Sequence, residues 1–511
     1  MANVKSVTAK QESIWIETGP QPPAAARLEE DVSVDAVVIG GGIVGITTAL
    51  LLKEAGAQVA LLEAGRLARG VSGQTTAKLS SQHGLIYSRL GSDFGPEAAQ
   101  TYGAANEAAL DWIADRVERE QIDCDFRRQP AYAYVLSASE LAQVEEEARA
   151  AVEAGLPAAL VASSSLPFPI AGAVRFDDQA EFHPCKYLLA LASGIAGQGS
   201  TIYEDTAAVA VGSDGDQQIV ATVGGSVRAD HVIVATHYPF LDRSLAFARV
   251  HASRSYAIAC RINGDPPEGM HISAEGPKRS IRALPIDGEE LLLIGGESHK
   301  PGTGGDTKER YRGLETFAAE HWQLESVEYR WSSQDNITLD GLPYVGRLTP
   351  RSEQILMATG FAKWGLTGGT AAAKILADTV LGKDPSPAAG LFDPWRLTPR
   401  ASLGTLLKET AETGMHMVGD RLASPGLRSV DSLGRDEGDI VRLGGKKVAA
   451  YRDKEGNLTA VSSRCTHLGC QVKWNGAERS WDCPCHGSRF ATDGRVLHGP
   501  ALEPLARKTE E

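Results

Sequence analysis

Residues 34–63, VDAVVIGGGIVGITTALLLKEAGAQVALLE, constrain the fold of this chain more than any other stretch. An apolar run suited to a buried parallel strand enters Gly40-x-Gly42-x-x-Gly45, which opens an Ala- and Leu-rich helix. A second apolar strand follows and ends in Glu63. In such a unit Gly40 permits the tight turn, Gly42 lets the backbone approach a pyrophosphate and Gly45 lets helix and strand pack closely. Ile43 and Val44 then lie at the helix N-terminus, whose N–H groups face the phosphates. Glu63 stands about 20 residues on, where an acid accepts hydrogen bonds from ribose hydroxyls, with Ala64 beside it. A lone GxGxxG reads equally well as a glycine-rich turn. Strand, glycines, helix, strand and terminal acid together select a dinucleotide cradle, without separating FAD from NAD.

At 511 residues the chain is long enough for two or three domains. Its 51 Lys and Arg against 65 Asp and Glu give a net charge of −14, which argues against a nucleic-acid surface. No basic-plus-apolar leader opens the sequence and no apolar run suffices to cross a bilayer, so a cytoplasmic location without an integral membrane segment is expected. Cys124, Cys185 and Cys260 are scattered, whereas Cys465, Cys470, Cys483 and Cys485 crowd together and need an explanation of their own.

Residues 1–32 hold a Pro/Ala-rich spacer and read as an N-terminal arm. After Glu63 comes a small-residue, hydroxyl-rich loop with Gly73, Gln74, Thr75 and Thr76, able to wrap a phosphate or a flavin edge, or to be a plain connection. Residues 96–120 and 138–154 have helical periodicity with charged outer faces. A strand ending in Ala235-Thr236 returns the chain to the sheet begun at residue 34, so the dinucleotide domain is discontinuous. Later come DGLPYVG, a strand, and ATGFAKWGLTGGT, which opens another helix and contains Gly360, Gly365, Leu366, Thr367, Gly368 and Thr370. A helix start without charge in its first turn can direct its positive end at an electron-rich group, or need its glycines only for close packing.

These segments together resemble the D-amino-acid oxidase/glycine oxidase superfamily of FAD-dependent amine oxidoreductases. The resemblance implies FAD extended from Gly40 to the helix start at Thr367, and a substrate lying over the flavin ring beneath an inserted sheet. Noncovalent FAD is expected, because no cysteine occurs from Ile337 to Gly369 and the Gly73–Lys78 loop lacks the histidine used for flavin attachment in dimethylglycine-dehydrogenase-like relatives. Candidate ring-facing residues are Arg254, Tyr256, Glu297, His299, Tyr344, Lys363 and Trp364, with Trp364 the leading one because it lies in the turn meeting the flavin.

Beyond residue 430 short strands precede Cys465-Thr466-His467 and Cys483-Pro484-Cys485-His486. Two thiols and two imidazoles on two loops suit zinc by ligand type, or a Rieske [2Fe–2S] cluster, which takes two cysteines on one iron and two histidines on the other. The segment resembles a Rieske domain. That implies Cys465, His467, Cys483 and His486 as ligands, with Ser488 able to hydrogen-bond a cluster sulfur. The surplus Cys470 and Cys485 could tie the two loops by a disulfide. High-potential Rieske proteins carry Tyr where this chain has Phe490, so a lower potential is expected.

The expected architecture is an α/β FAD-binding Rossmann-like domain (residues 33–95, 175–240 and 335–395), an inserted α+β substrate domain (96–174 and 241–334), a linker (396–430) and a small all-β Rieske domain (431–511). The expected function is dehydrogenation of an amine or amino-acid-like substrate by hydride transfer to FAD. One-electron relay through the cluster would then reach an external acceptor: a carrier protein, quinone or O2. The alternatives are an electron-transfer or redox-sensing protein, or an NAD(P)H-linked reductase running electrons toward the cluster.

Overall fold

The computed structural model describes residues 9–286, 288–422 and 427–509; residues 1–8 of the expected arm and 423–426 of the expected linker lie outside them. Val32–Ile39 pairs in parallel with Val59–Leu62 on one side and with Ser226–Val234 on the other. Thr201–Tyr203 extends the sheet beyond Val59–Leu62, and Ile355–Thr359 joins the far edge of Ser226–Val234. Strands distant in sequence thus form one largely parallel layer. Residues 36–39 and all of Val59–Leu62 are buried, as continuous apolar strands covered on both faces must be. Helix Ile43–Glu54 packs between this sheet and helices Pro184–Ser193 and Thr367–Val380. A Cβ at Gly369 would stand 2.9 Å from Ile43 Cγ2, so the two helix starts meet only because the residue is glycine.

The second eight-stranded sheet runs Gln323–Thr338, Val250–Asn263, Glu289–His299, Arg279–Ile286, Met270–Ser273, Ala131–Val135, Gly172–Phe176, Ala158–Val161. Helix Pro96–Glu120 precedes every strand of this sheet in sequence and packs on Thr367–Val380, and so thickens the first layer.

Helix Pro399–Leu422 follows, with Lys300 Nζ, just past strand Glu289–His299, bonded to its Glu409 (2.8 Å) and Glu412 (2.9 Å). The remaining chain is all β: a three-stranded sheet (Glu437–Leu443, Lys446–Arg452, Leu458–Ser462) and a four-stranded one (Lys473–Asn475, Ser480–Asp482, Arg489–Ala491, Val496–His498). This module sits against the second sheet. Glu478 Oε2 accepts from Arg254 (3.2 Å) and its Oε1 from the Tyr311 hydroxyl (2.7 Å), while Gln334 Nε2 donates to the Gly487 carbonyl (2.8 Å). Among the described residues no helix is long and apolar enough to cross a membrane.

Candidate functional site

A cavity of about 1080 Å³ runs between the two large sheets. One end is the glycine cradle. Gly40 has φ +113°, and a Cβ there would stand 2.4 Å from the Ala235 carbonyl oxygen; one at Gly45 would stand 1.7 Å from the Gly40 oxygen. Gly42 caps the Ile43–Glu54 helix with no side-chain bond, and no acid lies in the first turn, so the helix end keeps its positive character. Glu63 accepts from Gly41 N–H (2.7 Å) and Gly65 N–H (2.8 Å). Burial raises its pKa against those donors, and a carboxylate with about four acceptor positions still has capacity for ribose hydroxyls. Ile43, Val44, Ala64, Gln74, Thr75, Thr76, Ala235 and Thr236 also line the cavity.

The other end is hydroxylic and cationic. Residues of adjacent parity on a strand face opposite sides of its sheet. Ser253, Ser255 and Ala257 on one strand, and Trp331, Ser333, Asp335 and Ile337 on its neighbour, line the cavity. Lys363 Nζ donates to Ser255 Oγ (2.7 Å) and Ser298 Oγ (2.5 Å). It keeps accessible surface on the cavity side yet sits deep in protein, so burial lowers its pKa against the pull of Asp335. Burial likewise raises Asp335 to about 6, opposed by Lys363 and Arg254. Lys78, hydrogen-bonded to Ser280, is lowered by burial and by Arg282 to about 7. Lys278 and Arg279 complete this end. Trp364 stacks on His83 (4.5 Å, 17°), and both residues also line a neighbouring cavity of about 210 Å³. His83 is locked by the Tyr102 hydroxyl (2.5 Å) and the Ser80 carbonyl (2.7 Å).

Several residues singled out from sequence stand elsewhere. Arg254 projects from the opposite face of its strand, away from Ser253 and Ser255, and pairs with Ser332 and Glu478. Tyr256 contributes to the cavity wall, but its hydroxyl meets His299 Nε2 (3.1 Å) and its ring packs on Tyr311. His299 does not line the cavity, and Glu297 is held by Arg279 (2.7 Å). Tyr344 is buried between the guanidinium groups of Arg249 (4.9 Å) and Arg396 (4.6 Å), away from the cavity. Gly365 and Leu366 line the cavity; Gly368 lines only the smaller one. Thr367 and Thr370 spend their hydroxyls on the Ser80 and Leu366 carbonyls, while Gly360 packs on Thr338 and Gly73 on Ala68, so these four support the wall rather than form it. Asp335, Lys78, Ser255 and Ser298 were not among the candidates. Alternation along the 331–337 strand marks Asp335 as sharing a face with Trp331 and Ser333, but nothing local says which face meets the cavity.

The crowded cysteines occupy two similar turns. Gly469 N–H bonds the Cys465 carbonyl (3.0 Å) and Gly487 N–H the Cys483 carbonyl (3.0 Å), with both glycines left-handed. Cys470 and Cys485 form a disulfide. The Cys483 sulfur lies within 4.8 Å of those two sulfurs, but a disulfide leaves them no thiolate to offer, so Cys465 and Cys483 are the available thiols. The pKa of Cys465 is lowered by a hydrogen bond from Cys483, with the His467 and Leu468 amides and the Ser488 hydroxyl adding to it. The rings of His467 and His486 meet edge to face, with centroids 5.0 Å apart and planes at 90°.

Two families match the chain: FAD dependent oxidoreductase over residues 35–379 and Rieske [2Fe-2S] domain over 427–508. The chain belongs to the FAD dependent oxidoreductase family. Its C-terminal module is a Rieske domain. The Bacillus subtilis (strain 168) protein YhfW is 36% identical over 506 residues, covering 99% of both chains. Gamma-glutamylputrescine oxidoreductase of Escherichia coli (strain K12) is 26% identical over 373 residues, 70% of this chain and 85% of that protein. Glycine oxidase from Geobacillus kaustophilus shares the fold at a TM-score of 0.59 and 21% identity, over 72% of this chain and 99% of that one.

The residues fit both prosthetic groups of this oxidoreductase. For FAD, the cradle excludes any Cβ at Gly40 and Gly45, and the cavity continues from Glu63 to Trp364. For the cluster, two thiols lie within hydrogen-bond reach, two imidazoles meet edge to face, and His486 Nδ1 is buried with no hydrogen-bond partner among the described residues. Cys465, Cys483, His467 and His486 would hold the irons, as the sequence resemblance implies.

Proposed function

We propose that this flavoprotein dehydrogenates an amine or amino-acid-like substrate at the carbon beside nitrogen and sends the electrons out through its Rieske module. The observation that carries the reading is a single cavity that joins the glycine cradle to a cationic, hydroxyl-lined end. FAD, when bound, accepts a hydride from the substrate carbon, giving an imine that water hydrolyses. The amine must be neutral to release that hydride. Asp335, with its pKa near 6, is ionised at neutral pH and takes the ammonium proton. Lys363 and Lys78 suit a substrate carboxylate, and Ser255 and Ser298 hold the Lys363 ammonium in place. Trp364, fixed by its stack on His83, forms an apolar wall that excludes water. The likeness to gamma-glutamylputrescine oxidoreductase supports an amine as the substrate class.

FAD is held noncovalently in this reading. Among the described residues no cysteine lines the cavity, and the loop from Gly73 to Lys78 contains no histidine. A cluster that carries one electron at a time favours dehydrogenase behaviour toward a carrier protein or quinone over simple oxidase behaviour with O2.

The test is anaerobic bleaching of the flavin by a panel of amines and amino acids, with NADH as comparison. Electron paramagnetic resonance then asks whether the cluster fills from substrate. Bleaching by NADH and by no amine refutes the reading.

A further inference from the structure

One wall of the flavin cavity does not come from the flavin domain. Val496, Leu497, His498, Gly499, Ala501 and Leu502, all of the Rieske module, line it. His498 ends the outermost strand of the four-stranded sheet, paired with Arg489 just past the cluster loop. Its ring meets that of His237 at 5.3 Å. His237 follows the Ala235-Thr236 strand end, in a left-handed conformation (φ 65°), and its carbonyl is pinned by Asn336 Nδ2 (3.0 Å) and Thr359 Oγ1 (2.6 Å). Both imidazoles line the cavity, and burial favours their neutral forms. Each has a buried Nε2 with no hydrogen-bond partner among the described residues, one from each module. Buried nitrogens left unpaired are costly, so two together on one cavity wall are expected to meet a ligand that can pair with them.

The module carrying this wall is seated tightly. The Arg254–Glu478 pair joins it to the second sheet, with Arg254 2% exposed, and Thr307 Oγ1 accepts from Ala477 N–H (3.0 Å). A Cβ at Gly487 would stand 2.5 Å from Ala252 Cβ, so the surfaces touch at the cluster loop itself. Behind the wall, Ser488 Oγ accepts from Ala501 N–H (3.1 Å) and hydrogen-bonds Cys465. Cavity wall and cluster ligand are therefore one hydrogen bond apart on either side of a single hydroxyl.

We propose that the FAD site is composite: residues 496–502 of the Rieske module close it, with His498 and His237 as a paired FAD contact drawn from both modules. This concerns retention of FAD and goes beyond the proposed reaction, so it stands or falls independently of the substrate.

The test uses the full-length protein, stripped of flavin and titrated with FAD by fluorescence. H498A is expected to bind FAD roughly threefold to tenfold more weakly, as loss of a hydrogen bond implies. H498Q, which keeps a donor and an acceptor, is expected to recover part of the loss, and the cluster's electron paramagnetic resonance spectrum is expected to stay that of the parent. Hydrogen exchange across residues 496–502 of the unsubstituted protein is expected to slow on adding FAD. FAD binding by H498A within about twofold of the parent overturns the proposal. Should H498A lose its cluster signal, the exchange measurement decides: equal exchange with and without FAD overturns the proposal, and slowed exchange upholds it.

Discussion

Ser488→Ala tests how the protein sets the cluster potential. Ser488 is fully buried, and its oxygen already accepts the Ala501 N–H, so the hydroxyl's single proton is directed to the Cys465 sulfur. The reduced cluster is one electron more negative than the oxidised one, and a donor at sulfur stabilises it more. A hydrogen bond to a charged acceptor contributes at least about 1.5 kcal/mol, of which roughly half to all discriminates between the two states. At about 59 mV per 1.4 kcal/mol for one electron, the alanine variant should fall in potential by roughly 30–65 mV. Redox titration followed by electron paramagnetic resonance reads this directly. The same substitution orphans the Ala501 amide, costing about 1–3 kcal/mol if no water replaces the hydroxyl, so the melting temperature should drop as well. A potential that stays within about 10 mV of the parent, or rises, would refute the assignment of Ser488 as a donor to the cluster.

Phe490 lies fully buried in the same core as Cys465 and Cys483, and Phe490→Tyr should raise the cluster potential if the new hydroxyl reaches a sulfur; an unchanged titration counts against that. Gly45→Ala would put a Cβ 1.7 Å from the Gly40 oxygen, so the purified variant should lack bound flavin while keeping its cluster spectrum. Trp364→Ala removes the ring stacked on His83 and should slow flavin reduction by substrate, measured by stopped flow. Because the raised Asp335 carboxyl is protonated below about pH 6, kcat/KM should rise with pH through that value. Asp335→Asn should abolish that limb and lower the rate by roughly 10²–10⁴-fold, the usual contribution of a positioned base.

The parts legible from sequence are those in which one short segment carries the whole signal. Gly40, Gly42, Gly45 and Glu63 are spaced by one turn, one helix and one strand, so local geometry alone makes a cradle of them. Cys465, His467, Cys483 and His486 lie on two turns whose residues specify ligand type and count. The catalytic end was less legible, because a strand's alternation shows that Arg254 and Ser255 face opposite ways without showing which way the cavity lies. Arg254 has the more reactive-looking side chain, yet it serves the contact with Glu478, and the serine faces the cavity.

The two redox modules are legible in the order of residues alone, since nucleotide cradles and cluster loops are built from residues close together along the chain. Tertiary packing brings Asp335 and Lys363 to one cavity and sets residues 496–502 of the Rieske module along its wall. Those relations depend on how a sheet edge, a helix start and a separate β module pack, and packing joins residues with no common spacing in the sequence.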